Sequence, residues 1–252
     1  MVLVKQEPKK IYIWSNEVKK VYLWSTQVRP YSWEPWANTI AYYPLTASST
    51  TNDMKGFGTA YNLTSWWTAP SFWTYGWVSC ANFSASWVLY TNSWSGSMSA
   101  DYTMCWWYYE TWNPPYDNWV IFGTRINNVE GFMAIRAKWR PNSQYWITWV
   151  SSNPNQNIRY TSSYTASAWW QHVCITCGGS TLKLYINWEY KSSLTRYTTD
   201  TCNYILLSRY RVADSLDRSM RWYLSEVIFE SKERTATEIQ KYYNRKKANY
   251  WL

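Results

Sequence analysis

Glycine is scarce in this chain: 8 residues among 252, where a usual share of roughly 7% would give about 18. Histidine is scarcer still. His172 stands alone, which excludes a His-rich metal centre and leaves any Ser-His-Asp arrangement a single imidazole to use. Charged residues make up only 16%, and no apolar run approaches the 18 or more residues of a membrane-crossing helix. The opening MVLVKQEPKK carries charges without an apolar core behind them, so neither membrane insertion nor signal-directed export is expected. Five cysteines (Cys80, Cys105, Cys174, Cys177 and Cys202) are an odd number in a long chain. They argue against a disulfide framework and for synthesis in a reducing compartment.

Tryptophan and tyrosine, at 22 and 24 residues, fill the composition instead, and with 46% hydrophobic residues the chain can bury a sizeable core. The tryptophans stand where turn chemistry calls for glycine: Trp14 and Trp24 before Ser, Trp94 in SWSGS, Trp112 in TWNPP, Trp119 in DNWV and Trp188 in YINWEYK. At Trp188 two strand-like runs flank Asn-Trp, where Asn-Gly is the strongest two-residue hairpin signal. The surplus and the deficit read as one event, a translation in which UGA is written as Trp although the source reads it as Gly. With Trp107 and Trp170 kept as true tryptophans, the glycine count would rise to about 28, natural for a turn-rich β protein. The competing reading is a sugar-binding surface rich in Trp platforms.

Residues 9–28 repeat with a ten-residue period, KKIYIWSNEV then KKVYLWSTQV, each copy reading as a strand-turn-strand unit. Residues 1–36 are therefore expected to form a β-hairpin repeat and linker. Eleven strand-like runs follow: TIAYYPL, VSCANF, YTMCWWYY, VIFGTR, FMAIRAK, QYWITWV, QNIRYTS, QHVCITC, TLKLYIN, NYILLSR and YLSEVIFE. Their spacing predicts an all-β sandwich over residues 37–234. Residues 235–252 form a short helix and basic tail, with a capping box from Thr235 to Glu238, Ile239, Tyr242 and Tyr243 on one face, and Arg245, Lys246 and Lys247 in the tail.

The segments ANTIAYYPL, YTMCWWYYE, AWWQHVCITCGGSTLKLYINWEYKSS and WYLSEVIFESKERTATEIQKYYN resemble the laminin-G-like, concanavalin A-like lectin/glucanase jelly roll found in phage tail and virion proteins. The likeness spans most of residues 37–250. It departs from the family pattern at Trp106, Trp169 and Trp188, each where that pattern has Gly. The resemblance implies a jelly-roll sandwich of two antiparallel sheets and a non-catalytic lectin-like module of a phage or phage-like particle. It further implies cell-surface carbohydrate and other virion or tail proteins as partners, possible self-association into a homo-oligomer, and a location on the virion or extracellular surface. The alternatives are a structural decoration domain that binds no glycan, and a glycoside hydrolase.

A hydrolase of this family needs two carboxylates roughly 5 to 9.5 Å apart. On an extended strand Glu226 and Glu230 share a face about 13 Å apart, with no acid between them and Glu233 beyond. A lectin site needs hydrogen-bonding groups for hydroxyls and an aromatic face for the ring. Asn113, Tyr116, Asp117, Asn118 and Arg125 cluster around one loop and supply that chemistry. Calcium, which relatives often bind, would find oxygen-rich loops at Asn52, Asp53 and Asp117. His172 is expected to be a hydrogen-bonded structural residue, and Cys174 and Cys177 to be two free thiols on opposite strand faces. The net charge of +9 is scattered, without the helix-long basic stripe of a nucleic-acid binder. Its milder implication is attraction to acidic cell-surface polymers.

Overall fold

Each copy of the N-terminal repeat closes a minimal hairpin. β1 (Tyr12–Ile13) pairs antiparallel with β2 (Asn16–Glu17), and β3 (Tyr22–Leu23) with β4 (Thr26–Gln27), so Tyr12 faces Glu17 as Tyr22 faces Gln27. These hairpins belong to the first of two units, Met1–Glu34, and all that follows to the second, Pro35–Leu252. The structure, a computed structural model, describes these four strands and residues 38–47, 51–52, 61–65, 69–83, 89–91, 96–97, 101–109, 118–126, 129–139, 142–149, 157–162, 170–195, 201–202, 204–207 and 223–252. Side chains are described over 38–47, 51–52, 61–65, 69–83, 101–109, 170–193, 195, 207 and 223–252.

Among the described residues the second unit is all-β with one closing α-helix. In chain order its strands are β5 (Thr39–Tyr43), β6 (Leu63–Ser65), β7 (Ser71–Tyr75), β8 (Val78–Asn82), β9 (Leu89–Thr91), β10 (Gly96–Ser97), β11 (Tyr102–Tyr109), β12 (Asn118–Ile126) and β13 (Val129–Trp139). There follow β14 (Asn142–Trp149), β15 (Asn157–Ser162), β16 (Trp170–Gly178), β17 (Thr181–Ile186), β18 (Glu189–Thr195), β19 (Thr201–Cys202), β20 (Tyr204–Leu207) and β21 (Tyr223–Glu230). All eleven predicted runs are strands. One sheet of eight strands has the order β18-β17-β16-β11-β21-β8-β7, with β5 also paired to β21; a second, of seven, runs β15-β14-β13-β12-β20-β9-β6. The pairings in both are antiparallel, and the order of non-consecutive neighbours gives the jelly-roll crossovers.

Alternation builds the core. Tyr102, Met104, Trp106 and Tyr108 of β11, Val173, Ile175 and Cys177 of β16, and Leu224, Val227 and Phe229 of β21 point inward. They share one buried cluster with Leu63 of β6 and Leu207 of β20, which places the core between the sheets. Each such side chain contributes about 1.5–3 kcal/mol of burial.

Two hairpins turn through consecutive left-handed residues. Tyr75 pairs with Val78 across Gly76 (φ 54°) and Trp77 (φ 68°), and Ile186 pairs with Glu189 across Asn187 (φ 49°) and Trp188 (φ 70°). This is type I′ geometry, in which the second central position favours glycine. Trp77 is 83% exposed and Trp188 37%. Trp251, at the left-handed cap that ends the chain's last turn, has φ 60°. Trp14 and Trp24, expected at exposed turns, lie outside the described residues.

The cysteines require a correction. Cys105 and Cys174 face each other across β11 and β16, with Cα atoms 4.2 Å apart, and form a disulfide. Cys174 is therefore joined to Cys105, while Cys80 and Cys177 are buried thiols outside that disulfide. The parity argument holds, since Cys177 enters the sandwich core and Cys174 does not. What spacing could not reveal is the pairing of two strands 69 residues apart.

Candidate functional site

The outward residues of β11, β16 and β21 form a floor that α1 (Ala236–Lys246) and a 3-10 turn (Lys247–Tyr250) cover. Thr235 and Glu238 form the expected capping box, and the helix buries Ile239, Tyr242, Tyr243 and Lys246. Trp107 is the centre of the contact. Its ring stacks on Tyr250 at 3.9 Å and on Tyr243 at 5.7 Å, and its Nε1–H donates to Tyr242 Oη at 3.4 Å. Trp170 meets Tyr250 edge-on at 5.2 Å. His172 packs against Trp107 and Tyr242, at 4.8 and 5.2 Å between ring centres.

The expected hydrogen bonds of His172 are absent: neither ring nitrogen has a partner among the described residues. Its role is packing. Burial, and secondarily the Arg234 charge, push its pKa down to about 3, so the ring is neutral.

Beside this aromatic contact the sheet forks. The C-terminal half of β21, from Val227 to Glu230, pairs with β5, while Tyr223 and Leu224 pair with β8. At the fork β21 bulges: Cys105 faces Ile228 and Trp107 faces Ser225, which leaves Glu226 and Val227 both opposite Trp106. Glu226 takes a left-handed φ of 49°, and its N–H donates to Pro44 O at 3.1 Å. That conformation costs a non-glycine residue roughly 1–2 kcal/mol.

The carboxylate of Glu226 is well engaged on one oxygen. Oε1 accepts from Lys246 Nζ at 2.6 Å and from Tyr42 Oη at 3.2 Å. Tyr250 Oη reaches Oε2 at 3.4 Å, longer than an ordinary hydroxyl hydrogen bond, and also contacts Ser225 Oγ at 3.1 Å. Burial, followed by the Glu226 charge, raises the phenol pKa of both Tyr42 and Tyr250, so both remain protonated donors. A cleft of about 250 Å³ opens here, lined among others by Tyr42, Pro44, Trp77, Ser79, Glu226, Lys246, Asn249 and Tyr250. A shallower depression of about 340 Å³, lined by Phe72, Trp73 and Thr74, adjoins it through the shared Thr46 and Ser79.

The acidic residues singled out as hydrolase candidates are all committed to cations. Glu226 holds Lys246, Glu230 holds Arg234 through two hydrogen bonds, and Glu233 holds Lys183 at 2.7 Å. Burial raises the Glu230 pKa and lowers that of Arg234, each against the pull of the other.

Of the predicted sugar-binding residues, Asn118 opens β12 opposite Ala137, and Arg125 stands near its end, opposite Glu130 on one side and Tyr204 on the other. Asn113, Tyr116 and Asp117 lie outside the described residues, as does Asp53. Asn52 is exposed in a bend. Among the described residues no group of three or more His, Cys, Asp and Glu could hold a metal ion. The cleft residues Tyr42, Asn249 and Tyr250 carried no sequence signal beyond their place on a strand or helix end, and Lys246, read as part of a basic tail, is buried against Glu226.

Residues 83–240 match the family described as "Concanavalin A-like lectin/glucanases superfamily". No curated protein matches the chain. Among solved structures, domain 4 of AbnA, a GH43 extracellular arabinanase from Geobacillus stearothermophilus in complex with arabinotriose, is 15% identical, with a TM-score of 0.60 over 81% of this chain and 97% of that one. The botulinum neurotoxin serotype G binding domain is 16% identical, with a TM-score of 0.60 over 82% of this chain and 50% of that one. The binding domain of Paraclostridial Mosquitocidal Protein 1 is 14% identical, with a TM-score of 0.60 over 82% and 52%. The chain thus spans about half the length of these toxin binding domains, and at such identities the likeness is one of fold.

Proposed function

Since the chain belongs to the concanavalin A-like lectin/glucanase superfamily, we propose that it is a non-catalytic carbohydrate-recognition module, carried by a phage or phage-like particle and directed at host-surface glycans. One observation carries the reading: the sheet fork offers a cleft of hydroxyl, carboxylate and amide groups between aromatic rings, while the acids nearest to it are neutralised by cations. That chemistry binds hydroxyls without cleaving a glycosidic bond. The arabinanase domain complexed with arabinotriose, and botulinum neurotoxin type C, a further structure of this fold whose cell entry depends on interaction with two ganglioside molecules, supply the analogy within the fold. The particle, with other virion proteins as partners, self-association and a surface location, rests on the resemblance of the sequence to phage structural proteins. A glycan array probed with the full chain tests the reading: binding to a defined glycan class supports it, and a blank array across neutral and acidic glycans overturns it. Asp117→Ala on the same array asks whether the loop of Asn113, Tyr116, Asp117, Asn118 and Arg125 contributes.

The left-handed tryptophans favour a second reading, that UGA codons written here as Trp are read as Gly in the source. Trp77, Trp188 and Trp251 are three of the six non-glycine residues with positive φ among the described residues. A large ring gains nothing from such a position and glycine loses nothing. Trp106 departs from this pattern, being 1% exposed within the core. The intact mass of protein from its native source, with peptide sequencing across residue 188, decides the matter: Trp at 188 sinks the reading and Gly establishes it.

A further inference from the structure

Glu226 is an unusual residue to find at a left-handed bulge, where glycine would stand without strain. The bulge does one thing a regular strand could not. It puts Ser225 and Glu226 in succession on the outer side of the sheet, between the core residues Leu224 and Val227, and so aims a carboxylate into the gap left where β5 and β8 part. Strain held at a cleft argues for a use of the group it presents.

The groups at the cleft define what would satisfy them. Lys246 and Tyr42 take Oε1, Lys246 cancelling the carboxylate's charge, while Oε2 has only the long contact from Tyr250 among the described residues and keeps room for a donor. Ser79 and Asn249, both exposed, stand at the mouth with a hydroxyl and an amide. Pro44, Val78 and the rings of Tyr42 and Tyr250 add apolar surface to the wall. At about 250 Å³ the cleft is smaller than the roughly 300–1,000 Å³ of drug-sized sites, a size for one sugar ring. An acidic sugar would bring its anion to a carboxylate whose cation is already committed.

We propose that the fork cleft binds a single neutral pyranose, two adjacent ring hydroxyls being held by Glu226 Oε2 and the Asn249 amide with the C–H face of the ring against Tyr42 and Pro44. This rests on the glycan-recognition reading and names its site and its sugar class. Trp77 also lines the cleft but is none of these contacts, so they stand whichever way UGA is read.

The test uses the full chain in solution, titrated by calorimetry with neutral glycans and with their uronic-acid and sialylated counterparts, followed by Asn249→Ala, Tyr42→Phe and Glu226→Gln. The first two variants leave the Glu226–Lys246 pair in place and guard against mere unfolding, which a melting curve on each checks. The expected result is binding of neutral glycans, weakened about three- to tenfold by Asn249→Ala and tenfold or more by Glu226→Gln, with the Asn249→Ala melt unchanged. Glycan binding that survives all three variants overturns the site while leaving glycan recognition standing. Preference for acidic glycans overturns the sugar class. Absence of all glycan binding overturns the reading beneath both.

Discussion

Trp188 occupies the second central position of a type I′ turn with its ring partly in solvent. Trp188→Gly is expected to stabilise the protein by about 1 kcal/mol, raising Tm by roughly 2–4 °C, whereas Trp106→Gly, which empties a core position, should lower stability by 3 kcal/mol or more, of order. Thermal melts of the two variants check the pair. That contrast was half legible: NWE between two strand-like runs gave the turn at 188, but nothing local to WW at 106–107 distinguishes a core ring from a turn. His172 gives a second expectation at this scale. Its folded pKa of about 3 lies below the unfolded value near 6.5, so the unfolded chain binds the extra proton. The stability this neutral ring secures is full above pH 6.5 and lost as pH falls, by about 1.4 kcal/mol per unit toward pH 3. Between pH 6.5 and 4.5 the loss precedes that from Glu238, whose pKa of about 2 removes stability only below 4.5. Chemical denaturation of His172→Phe at pH 7 and pH 5 should show a smaller difference than the parent chain does.

At the scale of elements, the eleven strands read from the sequence are each four residues or longer, and most of the missed ones are shorter. β11 and β16 are long, rich in aromatic and β-branched residues and buried from end to end. β6, β9, β10 and β19 are two or three residues long, and β7 is an edge strand with no buried residue, so neither period nor apolarity marks it. The helix was legible because its start is written in side chains, Thr235 with Glu238, and its buried face in Ile239, Tyr242 and Tyr243. The fork cleft was not, because it exists only where β5, β8, β21 and the last turn converge, and because left-handed Glu226 has no local signature. Lys246 shows the cost of reading a basic run as a solvated tail. Lys246→Met leaves the Glu226 carboxylate buried without its cation and should destabilise by about 3–5 kcal/mol, whereas Lys232→Met, at an exposed pair, should cost less than about 1. Urea titrations of the two variants, read by circular dichroism, measure the difference.

For the whole molecule, the disulfide is the departure with the widest effect. The cysteine count suggested a reduced protein, yet Cys105 and Cys174 sit opposite one another in the middle of the larger sheet. A cross-link between residues 69 apart restricts the unfolded chain enough to stabilise the fold by roughly 4 kcal/mol. Reduced protein should therefore melt well below oxidised protein, and Cys105→Ser should abolish the difference; equal melting points would show that the two thiols are not joined. Valency also belongs here. Under the proposed glycan-binding role a single small cleft would bind weakly, and useful attachment would follow only when many copies meet many glycans at once.

The chain's last residues adjoin the cleft itself: Asn249 and Tyr250 line it, and Trp251 and Leu252 follow in solvent. An affinity handle or fluorophore placed after Leu252 would emerge two residues beyond the cleft-lining Tyr250, and a sensor surface that captures the protein by that end would press against the opening it is meant to interrogate.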